Sequence, residues 1–191
     1  MSQNTLIINT KPIGKGKERT CYLHPHDPRK LIKISGTETN IQTRREVSFY
    51  KTLTKRNIDY TNMPRYYGKV ETNFGKGFVV DLITDYDGKI SKSMLWYLEH
   101  GYKLSEFDSY LAELKMYFLN NLIIFNHDMY PGNLLLQKVD VDTWRLVVID
   151  GIGDTVLITW PNHIRRFAQR KIYRRWDRFE KRLFKKMLAI K

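Results

Sequence analysis

Residues 126–136 read NHDMYPGNLLL and place Asp128 five residues before Asn133. A Pro-Gly pair between them predicts a bend, and the aliphatic runs on both sides favour a loop held at the edge of a packed core. There a carboxylate can accept or orient the proton of an attacking hydroxyl, and an amide oxygen can bind Mg²⁺, which prefers oxygen ligands. The stretch therefore suggests phosphoryl transfer, although an Asx turn without any catalytic role produces the same pattern.

A second acidic residue, Asp150, ends the apolar run LVVID and is followed by Gly151. An acid at the end of a buried strand, with a glycine that permits a turn, suits a second magnesium ligand beside Asn133. The same pattern is also typical of a solvent-facing start of a loop.

Two residues upstream have opposite charges and a suggestive spacing. Lys33 lies in the β-favouring run KLIKIS, and Glu46 follows thirteen residues later in a stretch with helical spacing. Taken singly, Lys33 is typical of an exposed strand lysine and Glu46 of a solvated helix glutamate. Together, a strand lysine and a helix glutamate can form an ion pair that holds the ammonium against the α- and β-phosphates of a nucleotide.

Glycines between the first two predicted strands complete the set. Gly14 and Gly16 lie in IGKGK, where glycines one residue apart let a hairpin backbone approach phosphates closely. An ordinary glycine turn has the same composition, and the next position at which a kinase-type loop has glycine is Arg19. The order of glycine loop, strand Lys, helix Glu, Asp-x-x-x-x-Asn and strand Asp is more specific than its parts, and it matches a protein-kinase-like site that uses ATP and Mg²⁺.

The elements around these residues change character along the chain. Short β-favouring runs (TLIINT, KERTCYL, KLIKIS), one helix over 40–56 and a hairpin over 63–83 with its turn at Asn73–Gly77 occupy the first part. A helix over 105–125 with a cap-like Ser105, the strand DTWRLVVID and a helix from about 162 to 191 follow. We expect one α+β domain over 1–191, with a β-rich N-lobe (1–86), a linker near Asp85–Gly88 and a shortened, mostly helical C-lobe (87–191).

Composition sets the broad class. A chain of 191 residues that is 42% hydrophobic can bury a core, and a single cysteine, Cys21, excludes an internal disulfide. The first twenty residues lack the apolar stretch of a signal peptide, and no run approaches a membrane span. We therefore expect a cytoplasmic protein whose membrane contact, if any, is peripheral.

The basic character is concentrated in the last part of the chain. Residues 165–191 contain twelve Lys or Arg and two acids, which accounts for +10 of the net charge of +13. Apolar residues recur at steps of three and four from just before this segment, at Ile164, Ala168, Ile172, Trp176, Phe179, Leu183 and Met187. The pattern predicts either a helix packed by its apolar stripe or one that binds an anionic partner through its charges. A membrane or glycolipid, with Trp176, Phe179 and Phe184 at the interface, is favoured over nucleic acid, because no nucleic-acid-binding module accompanies the charges.

Several longer stretches carry a more specific likeness. IGKGKERTCYLHPHDPRKLIKIS, RREVSFYKTL, MPRYYGKVET, GFVVDLITDYDGK and IDGIGDTVLITWP resemble the PhoP regulatory network protein family, the YrbL-like proteins, over about residues 10–180. The resemblance implies a small bacterial cytosolic protein with a two-lobed protein-kinase-like fold. By matching position it implies Lys33 as the phosphate-contacting lysine, Glu46 as its partner, Asp128 as the catalytic acid, and Asn133 and Asp150 as metal ligands. Asp81 and Ile83 are expected as further nucleotide-binding residues.

Two departures from protein kinases bear on the activity. The triplet Asn126-His127-Asp128 lacks the arginine of the kinase His-Arg-Asp, and the 41 residues after Asp150 contain no Ala-Pro-Glu segment. The acceptor is therefore expected to be a small molecule, a glycan or a lipid-linked sugar. A pseudokinase that binds a nucleotide or a partner without chemistry, supported by Arg19, and a nucleic-acid-binding protein that uses the basic tail remain alternatives.

Overall fold

The computed structural model describes residues 5–16, 19–36, 41–126, 129–153 and 165–190, with backbone alone at 42 and 186–190. The chain forms two compact units, the first made of Met1–Ile58 and Pro64–Ile83 and the second of Asp59–Met63 and Thr84–Lys191. Within the described residues a five-stranded antiparallel sheet, a three-stranded sheet and four α-helices confirm the α+β class.

The first unit contains the five-stranded sheet and one helix. Its strand order is β1-β2-β3-β5-β4, and every neighbouring pair is antiparallel. The elements are β1 (Gly14–Lys15), β2 (Arg19–Leu23), β3 (Lys30–Ser35), α1 (Ile41–Lys55), β4 (Tyr66–Thr72) and β5 (Gly75–Asp81). The strands predicted for KERTCYL and KLIKIS, the helix and the hairpin are thus confirmed.

The predicted strand TLIINT is wrong. Leu6 forms only an isolated parallel bridge with Thr72, and the residues around it are not in a ladder. The side chain of Asn73 instead binds the backbone of Ile8, accepting from its N–H at 2.9 Å and donating to its carbonyl at 3.1 Å. At Ile8 a side-chain amide thus satisfies the backbone groups, while Leu6, alone among the described residues of this segment, bonds the backbone of Glu71 and Asn73, so no ladder forms.

The hairpin turn is shorter than predicted. Thr72 pairs with Gly75, which already belongs to β5, so that Asn73 and Phe74 alone form the turn. Gly75 has a φ of 108°, a conformation that glycine adopts without strain.

Alternation of side chains gives the sheet two different faces. Ile32, Ile34 and Val79 lie on one face and pack with Ile8 from the N-terminal segment. Lys33 pairs with Phe78 on the opposite face, where the ring of Tyr50 from α1 lies 6.4 Å from that of Phe78. The residues of interest therefore lie on the face that α1 covers.

Gly77 provides a test of how closely β3 and β5 approach. A methyl group there would lie 2.6 Å from the carbonyl oxygen of Lys33 and 3.2 Å from Cγ1 of Ile34. Because the nearest atom is backbone, we expect Gly77→Ala to lower the free energy of unfolding by about 1–3 kcal/mol, as overpacking does. Urea denaturation measures this change. Gly36→Ala is the control, since nothing lies within 4 Å of its methyl position, and an equal loss in both variants would contradict the steric explanation.

The second unit contains the three-stranded sheet, in the order β6-β7-β8, and the remaining helices. The strands are β6 (Lys92–Ser93), β7 (Leu134–Lys138) and β8 (Trp144–Val148). The α-helices are α2 (Met94–Glu99), α3 (Asp108–Asn120) and α4 (Arg165–Ile190), and 3₁₀ turns span Leu104–Phe107 and Pro131–Asn133.

Three boundaries here differ from the sequence prediction. The helix predicted to reach residue 125 ends at Asn120, because Leu122 has a φ of 47° that no helix accommodates. Ser105 does not cap it; Ser105 lies in a 3₁₀ turn, and the Glu106 carboxylate accepts from the N–H of Lys103 at 2.6 Å. Strand β8 ends at Val148, so Asp150 follows the strand by two residues instead of ending it.

Helix α4 packs its apolar stripe into the second unit. Ala168, Ile172, Trp176, Phe179 and Leu183 are all buried, as the packed-helix alternative predicts. Ile164 lies outside the described residues, as does the side chain of Met187. Of the helices in the described ranges, none combines the length and apolarity that crossing a bilayer requires.

Candidate functional site

Lys33 and Glu46 form a buried ion pair in the first unit. Nζ of Lys33 donates to Oε1 of Glu46 at 3.1 Å, and the two side chains are 6% and 4% exposed. Lys33 sits in the middle of β3, where its ammonium also lies 5.7 Å from the centre of the Phe78 ring. The structure thus brings together the pair that the sequence suggests, and its catalytic role stays a prediction.

The burial of this pair calls for an explanation other than stability. Removing two charges from water costs several kcal/mol per ion, and their attraction often fails to exceed that cost. Apolar residues of similar volume would commonly make the unit at least as stable. What the pair does provide is an ammonium group held at a defined place on the α1-covered face of the sheet.

Arg19 is a third member of this cluster, although in the sequence it stands out only as a departure from glycine. Its Nη1 donates to Oε2 of Glu46, whereas Lys33 donates to Oε1 of the same carboxylate. The register pairs Cys21 with Lys33 and Arg19 with Ser35, so strand alternation places residues 19, 21 and 33 on one face. That alternation is a signal in the sequence that could have assigned Arg19 to Glu46.

Gly14 and Gly16 lie in the β1–β2 hairpin near this cluster in sequence. Gly14 pairs with Cys21, and the N–H of Gly16 donates to the carbonyl of Arg19 at 2.8 Å. Methyl groups at these positions would come no closer than 3.8 Å and 3.6 Å to other atoms, which is ordinary contact. Neither glycine has a positive φ, so the local structure does not itself require glycine at either position.

Asp81 is not brought to the Lys33–Glu46 pair. The register pairs it with Lys30, three residues from Lys33, and so places it on the opposite face of the sheet. Its carboxylate accepts from the N–H of Arg65 and from the hydroxyl of Tyr67, both at 2.7 Å. Burial and this hydrogen bond raise the pKa of Tyr67. Ile83 is buried, two residues after β5 ends, and nucleotide contact by either residue stays a prediction.

In the second unit, Asn133 and Asp150 belong to neighbouring backbone segments. Asn133 ends the turn Pro131–Asn133, and its carbonyl accepts from the N–H of Ile149 at 2.9 Å. Oδ1 of Asp150 accepts from the N–H of Gly151 at 2.7 Å, and a φ of 80° at Gly151 bends the chain there. Both side chains are half-buried, and both offer oxygen atoms.

Asp128 lies outside the described residues, but the chain on either side of it is described. The N–H of Asn126 donates to the carbonyl of Gly151 at 2.7 Å, and Phe125 forms an antiparallel bridge with Ile152. A methyl group at Gly151 would lie 3.8 Å from the Cα of Met129. Among the described residues no group of three His, Cys, Asp or Glu is arranged to hold a metal.

Comparison with known proteins gives a consistent result over both units. The profile of the family described as PhoP regulatory network protein YrbL matches residues 6–184. Proteins named "Uncharacterized protein YrbL" from Escherichia coli (strain K12) and Shigella flexneri are each 34% identical to this chain over 179 residues. The matches cover 91% of this chain and 85% of each relative. The chain therefore belongs to the PhoP regulatory network protein YrbL family.

Proposed function

We propose that this protein has a two-lobed, protein-kinase-like architecture and transfers a phosphoryl group from ATP to a hydroxyl group, with Mg²⁺ as cofactor. The observation that carries the proposal is the buried pair of Lys33 and Glu46, at 3.1 Å. A strand lysine fixed by a helix glutamate is the arrangement with which kinase-like proteins hold the α- and β-phosphates.

Phosphoryl transfer asks a protein mainly for positioning and for neutralisation of charge. An ammonium already held by Glu46 need not be ordered when the nucleotide binds, which reduces the entropic cost of binding. Gly14 and Gly16 also support phosphate binding. The local fold has room for a side chain at both positions, yet both are glycine, which leaves their exposed backbone open to a ligand. We assign Lys33 to the phosphates and the glycine hairpin to the covering of the triphosphate.

The residues of the second unit supply the oxygen ligands and the acid. Asn133 and Asp150 would hold Mg²⁺, which on binding neutralises the charge of the phosphate oxygens. Asp128 would accept, or orient, the proton of the attacking hydroxyl group. The hydrogen bond from Asn126 to Gly151 supports a common site for these three, because it joins the segment before Asp128 to the segment after Asp150.

For the acceptor we propose a small molecule, a glycan or a lipid-linked sugar. The stretch Pro131-Gly132-Asn133 has the form that small-molecule kinases have at this point. A methyl group on Gly132 would lie 2.5 Å from Cε1 of Tyr130, so a larger residue there would displace the exposed tyrosine ring.

Nucleotide titration followed by thermal unfolding tests the proposal. ATP with Mg²⁺ at about 100 times Kd is expected to stabilise the protein by about 2.7 kcal/mol. ATP without Mg²⁺, and GTP with and without it, are the comparisons. Asp128→Ala should keep the shift and lose phosphoryl transfer, whereas Asp142→Ala, at an exposed loop position, should keep both. Absence of a shift with every nucleotide would contradict the proposal.

One observation favours a second candidate, a pseudokinase. Arg19 occupies a position where a kinase-type loop has glycine, and it shares the Glu46 carboxylate with Lys33. A protein that only binds a nucleotide tolerates such a shared contact, because it carries out no reaction for which the lysine must be held in a defined position. Nucleotide binding without any phosphoryl transfer, together with unchanged cellular activity of Asp128→Ala, would identify this alternative.

A further inference from the structure

The two sides of α4 differ sharply in what they present. The apolar stripe faces the core of the second unit, where Trp176 is fully buried and its ring lies 5.9 Å from that of Phe118. The remaining surface of the helix presents eight exposed cations, which we call the basic face: Arg165, Arg166, Arg170, Arg174, Arg178, Lys181, Arg182 and Lys185.

Acidic side chains on α4 offset little of this charge. Asp177 and Glu180 are its exposed acids. Asp177 pairs with Lys181 at 3.0 Å, and Glu180 accepts from Nε1 of Trp176 at 2.5 Å while lying 4.0 Å from Lys115. Asp177 thus offsets one cation of the basic face, Lys181, while Glu180 is engaged by Trp176 and Lys115, and the basic face keeps a large positive excess.

We propose that the basic face of α4 is a docking surface for an anionic membrane leaflet, and that it binds by charge without insertion of the helix. Insertion would require the apolar stripe, but that stripe is already used by the core of the second unit. The suggestion from the sequence that Trp176 and Phe179 contact a membrane is therefore wrong, because both side chains are buried. The exposed rings of Phe167, Tyr173 and Phe184 lie on the solvent-facing side and suit the level of the lipid headgroups.

The shape of this surface favours a membrane over nucleic acid. Helix α4 is packed along one side from Ala168 to Leu183 and can present only the other side. The exposed cations run from Arg165 to Lys185, about 30 Å along the helix, and together they match a flat charged surface.

Vesicle sedimentation with the full chain tests the inference. We expect binding to vesicles of phosphatidylcholine and phosphatidylglycerol at 3:1, none to pure phosphatidylcholine, and release at 0.5 M salt. Each cation removed from the surface should weaken binding about fivefold. The triple variant Arg170→Gln, Arg174→Gln and Lys185→Gln should therefore lose about 100-fold.

A matched control separates the effect of the basic face from the effect of the net charge of the protein. Arg44→Gln, Arg45→Gln and Lys51→Gln remove the same residue types from exposed positions of α1, and this variant should bind within about fivefold of the unaltered chain. Equal loss in both variants, binding that survives 0.5 M salt, or tighter binding to an RNA duplex than to vesicles at equal salt would each overturn the inference. The assay contains neither ATP nor Mg²⁺, so its result is independent of the proposed phosphoryl transfer.

Discussion

Replacing Lys33 by methionine is expected to lower the rate of ATP turnover, measured as ADP release, by about 100- to 1,000-fold. The ammonium of Lys33 lies 3.1 Å from Glu46 and is the group that we assign to the phosphates. Methionine has a similar length and no charge, so it fills the space but cannot neutralise a phosphate. The fold should survive, because Arg19 still donates to the Glu46 carboxylate.

Two further variants make the Lys33 result specific. Lys30→Met removes a lysine from the same strand but from the opposite face, where Lys30 pairs with Asp27 at 3.0 Å, and ADP release should change less than about twofold. Glu46→Leu removes the carboxylate that both Lys33 and Arg19 contact, and it should cost about 3 kcal/mol of unfolding free energy. Retention of ADP release by Lys33→Met, or equal loss in Lys30→Met, would remove the main support for phosphoryl transfer.

The Lys33–Glu46 pair was predictable from sequence for a physical reason. A lysine flanked by apolar residues in a strand, and a glutamate on the next helix, leave few other ways to place both charges near one core. The contact of Arg19 with Glu46 was not predicted, because Arg19 was compared only with the glycine that kinase-type loops have at that position. The pairing of β2 with β3, which places Arg19 on the face of Lys33, was the information required.

The wrong element boundaries share a cause: each depends on contacts with distant parts of the chain, which the local sequence does not reveal. The segment TLIINT has strand composition, but its backbone is bound by the side chain of Asn73, which is distant in the chain. The end of α3 depends on a left-handed conformation at Leu122, which a non-glycine residue adopts only when tertiary packing compensates for the strain. Hydrophobic periodicity reports neither effect.

Helix α4 shows what hydrophobic periodicity can and cannot predict about buried residues. The steps of three and four identify its buried residues, and all five members of the stripe whose side chains are described are buried. Arg175 was not identified as buried, because in the sequence nothing distinguishes it from the surface cations around it. It is only 2% exposed, and its Nη1 donates to the carbonyl of Phe125, which packs against Trp176.

Replacing Trp176 by alanine is expected to lower the free energy of unfolding by about 3–5 kcal/mol, the cost typical of deleting a buried aromatic side chain. The indole is fully buried, with the rings of Phe118, Phe125 and Phe179 at 5.9, 6.0 and 5.5 Å. Its deletion leaves a cavity between α3, the segment at Phe125 and α4. Chemical denaturation with linear extrapolation measures the loss.

Phe184→Ala provides the comparison within the same helix, since its side chain is 61% exposed and its removal should change stability by less than about 0.5 kcal/mol. The contrast tests whether α4 is a structural part of the second unit or an appended segment. If Trp176→Ala cost less than about 1 kcal/mol, the apolar stripe would not be committed to the core. It would then be available for insertion into a bilayer, and binding of vesicles by charge alone would lose its structural basis.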